Sequence, residues 1–240
     1  MTENRSKKII KEFSRFSKEY NSYSIIQTEV AKKIVTDLPK KYFKTIADIG
    51  CGTGAIYKFA KEEKIKFDLF YALDGSDNML LSHPKSEKII KQCFDFNSKM
   101  SFASIDNIKF DIVVSSSALQ WSKDLDFTLL NISKMSKSFY GALFTGNTFK
   151  TLHETAGILS PIYDIDNIKR SFDRFYKNTN YEIISYKLFF DSKKELFNYI
   201  KKSGVSGGEK KLTVSQTKKL INEYSIDYLE FEVIFISAFN

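Results

Sequence analysis

The 240-residue chain is 42% hydrophobic and carries a formal charge of +8, with 22 Phe and 13 Tyr available for a core. That composition excludes a disordered chain, and no apolar run approaches the length of about 18 residues that a membrane span requires. Two cysteines, Cys51 and Cys93, make neither a disulfide framework nor a zinc site, and "MTENRSKKII" lacks the apolar region of a secretion signal, so a cytoplasmic protein is expected.

The charge is uneven. Residues 1–46 hold 11 Lys and Arg against 5 acids, a net +6. Lysine outnumbers arginine 33 to 4, which a coding bias and a solvated lysine surface explain. A basic N-terminal face for an acidic partner is the functional alternative.

Two helices are expected first, over 7–20 and 24–38. In the second, Ile25, Val30, Ile34 and Leu38 recur at helical spacing, and Pro39 stops it. "TIADI", 45–49, reads as a first strand running into glycines, and "AIYKFAKEE" as the helix behind it. "FDLFYALD" is a second strand, "NMLLSHPKSEKII" contains a short helix, and "IKQCFDF" is a third strand. "FDIVVSSS" is a fourth, with the apolar run of a strand covered on both faces. "DFTLLNISKMSKSF" predicts a helix and "YGALFTG" a fifth strand. This alternation argues for an α/β fold with a parallel sheet and helices on both sides. After residue 147 the rhythm changes. Residues 148–176 read as helical with one proline break, and "NYEIISYKLFFD" as a strand. The stretch 195–224 is helical and interrupted by glycines, and "YLEFEVIFISAFN" closes the chain as a strand. Two late strands predict an antiparallel edge added to the parallel sheet.

Three of the 10 glycines, Gly50, Gly52 and Gly54, fall within five positions. A cluster of this kind marks a backbone that something approaches too closely for a Cβ. Between a strand and its helix, it is the adenosine-binding corner of a doubly wound sheet. Gly50, Gly52 and Ala55 also satisfy the dinucleotide pattern G-x-G-x-x-G/A, so glycine alone does not choose the ligand. Asp48 helps to choose. A pyrophosphate held here would face its carboxylate, and at about 5 Å with an effective dielectric near 20 one like-charge pair costs roughly 3 kcal/mol. S-adenosylmethionine instead offers an ammonium and a sulfonium. Asp74 ends the second strand, 22 residues after Gly52, where a carboxylate accepts from both ribose hydroxyls. Asp95 ends the third, within reach of an adenine amino group, or serves as a turn-capping acid. Gly75, Met79 and Phe96 border the ribose and adenine in this reading, with Cys51, Thr53 and Gly54 completing the loop.

"ADIGCGTG", "ALDGSDNML" and "FDIVVSSSALQW" together resemble a class I S-adenosylmethionine-dependent methyltransferase. "FSRFSKEYNSYSIIQTEVAKKI", "SSSALQWSKDLDFTLLNISKM" and "FTGNTFKTLHE" are similar to the malonyl-[acyl-carrier protein] O-methyltransferases of biotin synthesis, as are "YIKKSGVSGG" and "LTVSQTKKL". Thr151 departs from the pattern, standing where an acid is expected. The resemblance implies a Rossmann-like, seven-stranded, doubly wound sheet with one antiparallel strand, N-terminal helices and a helical cap. It also implies one domain, with a lid over 1–44, a cofactor-binding core over 45–146, and cap insertions with a C-terminal strand pair over 147–240. The implied reaction is methylation of the free carboxylate of a malonyl thioester on acyl-carrier protein.

A carboxylate is already ionised at neutral pH, so no general base is expected, and His153 reads as a packed helix residue. Arg15 and Lys201 are candidates to hold the substrate carboxylate. Tyr20, Gln27, Trp121 and Phe149 are candidate walls of the site, and Ser115 and Ser116 offer carbonyls to the cofactor's ammonium. Lys7, Lys8, Lys11, Arg15 and Lys18, with Lys201, Lys202, Lys210 and Lys211, are candidates for a basic rim facing the acidic carrier. Two other readings stay open. One is a different small-molecule O- or C-methyltransferase. The other is a nucleic-acid-directed enzyme, against which the lysines are dispersed and no N/D-P-P-Y motif is present. No metal, membrane or nucleic-acid partner is expected.

Overall fold

A computed structural model describes residues 10–11, 14, 23–202 and 213–240. The expected helix over 7–20 lies mostly outside the described residues. The rest follows the predicted order. Helix α1 (Ile25–Thr36) buries Ile26, Val30, Ala31, Ile34 and Val35 along one stripe. Strand β1 (Tyr42–Ile49) leads through the glycines into α2 (Ala55–Glu62), then β2 (Lys66–Asp74) and the short α3 (Asp77–Ser82). Next come β3 (Ile89–Cys93), α4 (Lys99–Ala103) and β4 (Ile112–Ser116). A single 3-10 turn, Leu119–Trp121, precedes α5 (Leu125–Met135) and β5 (Ser138–Phe144). The C-terminal part holds α6 (Lys150–Ala156), α7 (Ile165–Phe175), β6 (Asn178–Phe189), α8 (Lys193–Lys202), α9 (Val214–Glu223) and β7 (Tyr228–Phe239).

The seven strands form one sheet in the order β3-β2-β1-β4-β5-β7-β6. Strands β1 to β5 pair parallel, while β7 runs antiparallel to both β5 and β6. Both faces of the sheet are covered, and the alternation along the central strands shows it. In β4, Ile112 and Val114 join one core and Val113 the other. Helices α1 and α2 pack together, as do α5 and α7. Strand order reverses between β1 and β4, so their carboxyl ends diverge and open a crevice, the place where open α/β sheets bind ligands.

Several boundaries shift by a few residues, β1 beginning at Tyr42 rather than Thr45, and two of the shifts have a clear cause. The helix before β5 stops at Met135, because Ser138 and Phe139 are already paired with β7 and β4. Strand β3 stops at Cys93, so Asp95 lies two residues beyond it, in a turn that its own side chain ties. Among the described residues no helix is long and apolar enough to cross a membrane, and no group of His, Cys, Asp and Glu is arranged to hold a metal.

Candidate functional site

The crevice holds a pocket lined by Gly50, Gly52, Asp74, Gly75, Ser76, Met79, Phe94, Asp95, Phe96, Asn97, Ser116, Ser117, Ala118, Trp121 and Ile10. It brings together residues from the ends of β1, β2, β3 and β4. The turn after β1 is anchored first by backbone: the N–H groups of Gly50 and Cys51 donate to the Leu73 carbonyl at 2.7 and 3.1 Å. Gly50 has φ +72°, and a Cβ built there would sit 2.3 Å from the Ala118 Cβ. The protein itself, not a ligand, therefore excludes a side chain at Gly50. At Gly54 the excluding atoms belong to His83 and Pro84. Gly52, at φ +53°, has nothing within 4 Å and faces the pocket. Of the three glycines, Gly52 alone matches the expectation of a backbone kept bare toward a ligand.

Asp74 fixes this loop. Its two carboxylate oxygens accept from the Gly52 N–H at 2.9 Å and from the Ser76 N–H at 2.8 Å. Burial raises its pKa, and those two N–H groups pull it back. Asp48 is treated differently. It is fully buried, and among the described residues neither carboxylate oxygen has a hydrogen-bond partner. Burial, together with the negative charge of Asp74, pushes its pKa well above the usual carboxylate range. A buried acid with neither oxygen paired is costly; Asp48 lies beneath the glycine turn and is not itself among the residues lining the pocket. Asp95 caps its own turn, its Oδ1 accepting from the N–H and side-chain amide of Asn97 at 2.9 and 3.1 Å. It lines the pocket as well, so the capping and ligand-facing readings coexist in one residue. Burial and both neighbouring acids raise the Cys51 thiol, which makes it a poor nucleophile.

The other sequence candidates divide. Met79, Gly75, Phe96 and Trp121 line the pocket. Cys51, Thr53 and Gly54 belong to the loop but not to the pocket wall. Ser115 is fully buried and its hydroxyl donates to the Ile49 carbonyl at 2.7 Å, while Ser116 and Ser117 line the pocket. The sheet's alternation turns Ser115 inward. The Phe149 ring packs 4.9 Å from Phe231 within the core. Gln27 sits on the buried stripe of α1 among apolar residues and does not line the pocket. His153 packs by Phe149, and burial lowers its pKa. Thr151, in place of an acid, donates its hydroxyl to Glu230 on β7 at 2.6 Å. Arg15, Tyr20 and the side chain of Lys201 lie outside the described residues.

Sequence reading missed Ile10, Ser76, Phe94, Asn97, Ser117 and Ala118. For Ser76 a signal existed, the Ser-x-x-Met start of a helix, and its hydroxyl does accept from the Met79 N–H. It also meets the Ser14 hydroxyl at 2.6 Å, which brings the N-terminal segment to the pocket beside Ile10.

Residues 47–138 match the family model for a methyltransferase domain. The malonyl-[acyl-carrier protein] O-methyltransferase of Priestia megaterium is 28% identical over 152 residues, 60% of this chain and 53% of that protein. The protein of the same name from Acetivibrio thermocellus is 30% identical over 161 residues, 61% of this chain and 53% of that one. The human mitochondrial arginine-hydroxylase NDUFAF5 is 30% identical over 140 residues, 56% of this chain and 39% of that protein. The chain thus spans about half the length of the first two relatives. Among solved structures, the YcgJ protein of Bacillus subtilis superposes with a TM-score of 0.63 at 12% identity, covering 88% of this chain and 98% of that one. The plantazolicin methyltransferase BpumL, solved in complex with SAH, gives 0.50 at 12%, covering 94% and 88%. Residues 47–138 thus match a methyltransferase domain, and the chain shares the fold of these solved structures, one of them a methyltransferase holding SAH.

Proposed function

We propose that this chain is a carboxyl O-methyltransferase that uses S-adenosylmethionine to esterify the free carboxylate of a malonyl thioester on acyl-carrier protein. The observation that carries the cofactor assignment is Asp48, a buried carboxylate with no described partner two residues before the glycine turn. A dinucleotide's pyrophosphate would meet that charge with repulsion. The chemistry that S-adenosylmethionine supplies when bound is a transferable methyl group on a sulfonium. Asp48 receives the ammonium, Asp74 the ribose hydroxyls, and Asp95, Phe96 and Met79 border the adenine. Asp74 does double duty, since the same carboxylate also holds the Gly52 N–H that shapes the loop.

The acceptor assignment has a different support. Of the described residues lining the pocket, only Asp74 and Asp95 carry titratable side chains, and both belong to the ribose and adenine end of the site. No base stands ready there, which suits an acceptor ionised at neutral pH. What remains for the protein is to align a carboxylate oxygen with the methyl group and to exclude water. Positioning of this kind is worth up to about 7–11 kcal/mol. The pocket-lining residues described include no cation, so the partner of the substrate carboxylate is assigned to Arg15 of the lid or Lys201 at the end of α8. In this reading 1–44 form the lid, 45–146 the cofactor core, and 147–240 the cap with the terminal strand pair. Two relatives that carry the malonyl-[acyl-carrier protein] name support the choice of substrate.

Mass spectrometry of malonyl-acyl-carrier protein incubated with the chain and S-adenosylmethionine tests the proposal. A gain of one methylene mass is expected. A gain of one oxygen mass would align the chain with the hydroxylase relative, and methylation only of free small molecules would remove the carrier from the assignment.

A further inference from the structure

The wall of the pocket that abuts the glycine turn is built from a strained loop. Ser117, one residue past β4, has φ +55°, a left-handed conformation that a non-glycine residue rarely adopts. Such a conformation persists only when its surroundings over-determine it. Here two bonds do so. The Ser117 N–H donates to the Ala142 carbonyl at 2.9 Å, and the Ser117 carbonyl accepts from the side-chain Nε2 of Gln120 at 2.7 Å. Gln120 is itself 2% exposed, and its Oε1 has no partner among the described residues. The amide is therefore retained for what its nitrogen does. The consequence of the left-handed turn is seen one residue on. It sets Ala118 against Gly50, so closely that no side chain fits between them. It also carries Trp121 onto the pocket wall, with the Trp121 N–H closing the turn on the Ala118 carbonyl at 3.1 Å.

We infer that Gln120 is a positioning residue for the cofactor site, holding Ser117 left-handed so that the β4 loop locks against the glycine turn; this rests on the cofactor reading above. Gln120 does not line the pocket. It acts through Ser117, and its loss lets the serine relax to an ordinary conformation and withdraws Ala118 from Gly50. The effect is read first in cofactor binding.

The test is a double-mutant cycle read by calorimetry with S-adenosylhomocysteine. Gln120→Met, which keeps the length and removes the donor, is expected to weaken binding about tenfold, the scale of a left-handed penalty of about 1–2 kcal/mol. In a Ser117→Gly background, where the conformation carries no penalty, the same substitution is expected to cost less than about twofold. Kinetically, the KM for S-adenosylmethionine rises while kcat at saturating cofactor is largely kept. Equal losses in the two backgrounds would overturn the inference, because the glutamine would then be a general packing element. Unchanged binding in Gln120→Met would overturn it too. If that variant fails to fold, Ser117→Val forces the serine position out of the left-handed region with Gln120 intact, and undiminished binding there would equally sink the idea. Failure of the unaltered chain to bind S-adenosylhomocysteine is a separate outcome, which overturns the cofactor reading itself.

Discussion

The glycine turn and the joint between β7 and α6 both contain buried or half-buried carboxylates, and they treat them in opposite ways. At the joint every such group is spoken for. Glu230 accepts from the Thr151 hydroxyl at 2.6 Å and from its N–H at 2.9 Å, supplying from β7 the cap that α6 lacks locally, since Phe149 has no capping side chain. Glu232 accepts from the Thr145 hydroxyl and the Asn147 amide. At the glycine turn Asp48 has no described partner, and the side-chain oxygens of Ser117 and Gln120 are buried without one. Folding alone favours the first arrangement. On the proposed cofactor reading, Asp48 is kept in the second arrangement for its ligand, while Gln120, away from the pocket wall, is kept for the bond its nitrogen makes to Ser117.

The largest effect expected from this contrast is at Asp74, which belongs to both categories. On the proposed cofactor reading, Asp74→Ala removes two charge-assisted bonds to ribose hydroxyls, each roughly 1.5–3 kcal/mol, and it also frees the Gly52 N–H. Cofactor affinity should fall more than about a hundredfold by calorimetry. An unchanged affinity would show that Asp74 serves the loop alone.

Next in size is a pH effect beneath the same loop. His83 packs against Tyr57 and Phe70 and abuts Gly54, and burial lowers its pKa to about 4. The unfolded chain binds this proton near pH 6.5 and the folded chain only near 4, so the unfolded state holds more protons between those values. Stability is therefore complete above about pH 6.5 and is lost as pH falls toward 4, by up to about 3 kcal/mol. Denaturant titrations of the chain and of His83→Gln across that range isolate the contribution. The acid loss should shrink in the variant, and parallel curves would deny it.

At the joint, Glu230→Ala should cost about 2 kcal/mol of stability, because it strips a cap and leaves the Thr151 donors unpaired. It should leave affinity for S-adenosylhomocysteine within about twofold. A larger loss of affinity would couple the joint to the pocket and blur the contrast between the two regions.

Much of this was legible in the chain because it is local. The strand before the glycines, the acid two residues ahead of them and Asp74 at the next strand end announce a nucleoside site by spacing alone. What escaped depends on distant neighbours. Nothing near Gly50 in sequence names Ala118 as the atom that excludes its side chain, and nothing near Gly54 names His83 and Pro84. Ser115 and Ser117 look alike in "SSSAL", yet sheet alternation buries the first against Ile49, and a left-handed turn brings the second to the pocket. Phe149 carried no sign that β7 would bring Phe231 over it.

The smallest effect is the one that most sharpens the comparison, because its sign differs from the rest. Asp48 lies buried with its pKa raised well above normal by burial and by Asp74. For an acid, a raised folded pKa means that the ionised group destabilises the fold at neutral pH, and that protonation on acidification recovers the loss. Asp48→Asn removes the charge and keeps the shape. The cofactor-free chain should therefore become more stable at neutral pH, read as a rise in Tm. The gain should shrink as pH falls and the native aspartate takes up its proton. Affinity for S-adenosylmethionine should drop in the same variant, the pattern of a group kept for binding at the expense of the fold. Calorimetric melts with and without cofactor read both halves. A destabilised variant would mean that the carboxylate already has a partner in the folded chain, and Asp48 would join Glu230 and Glu232 among the structural acids.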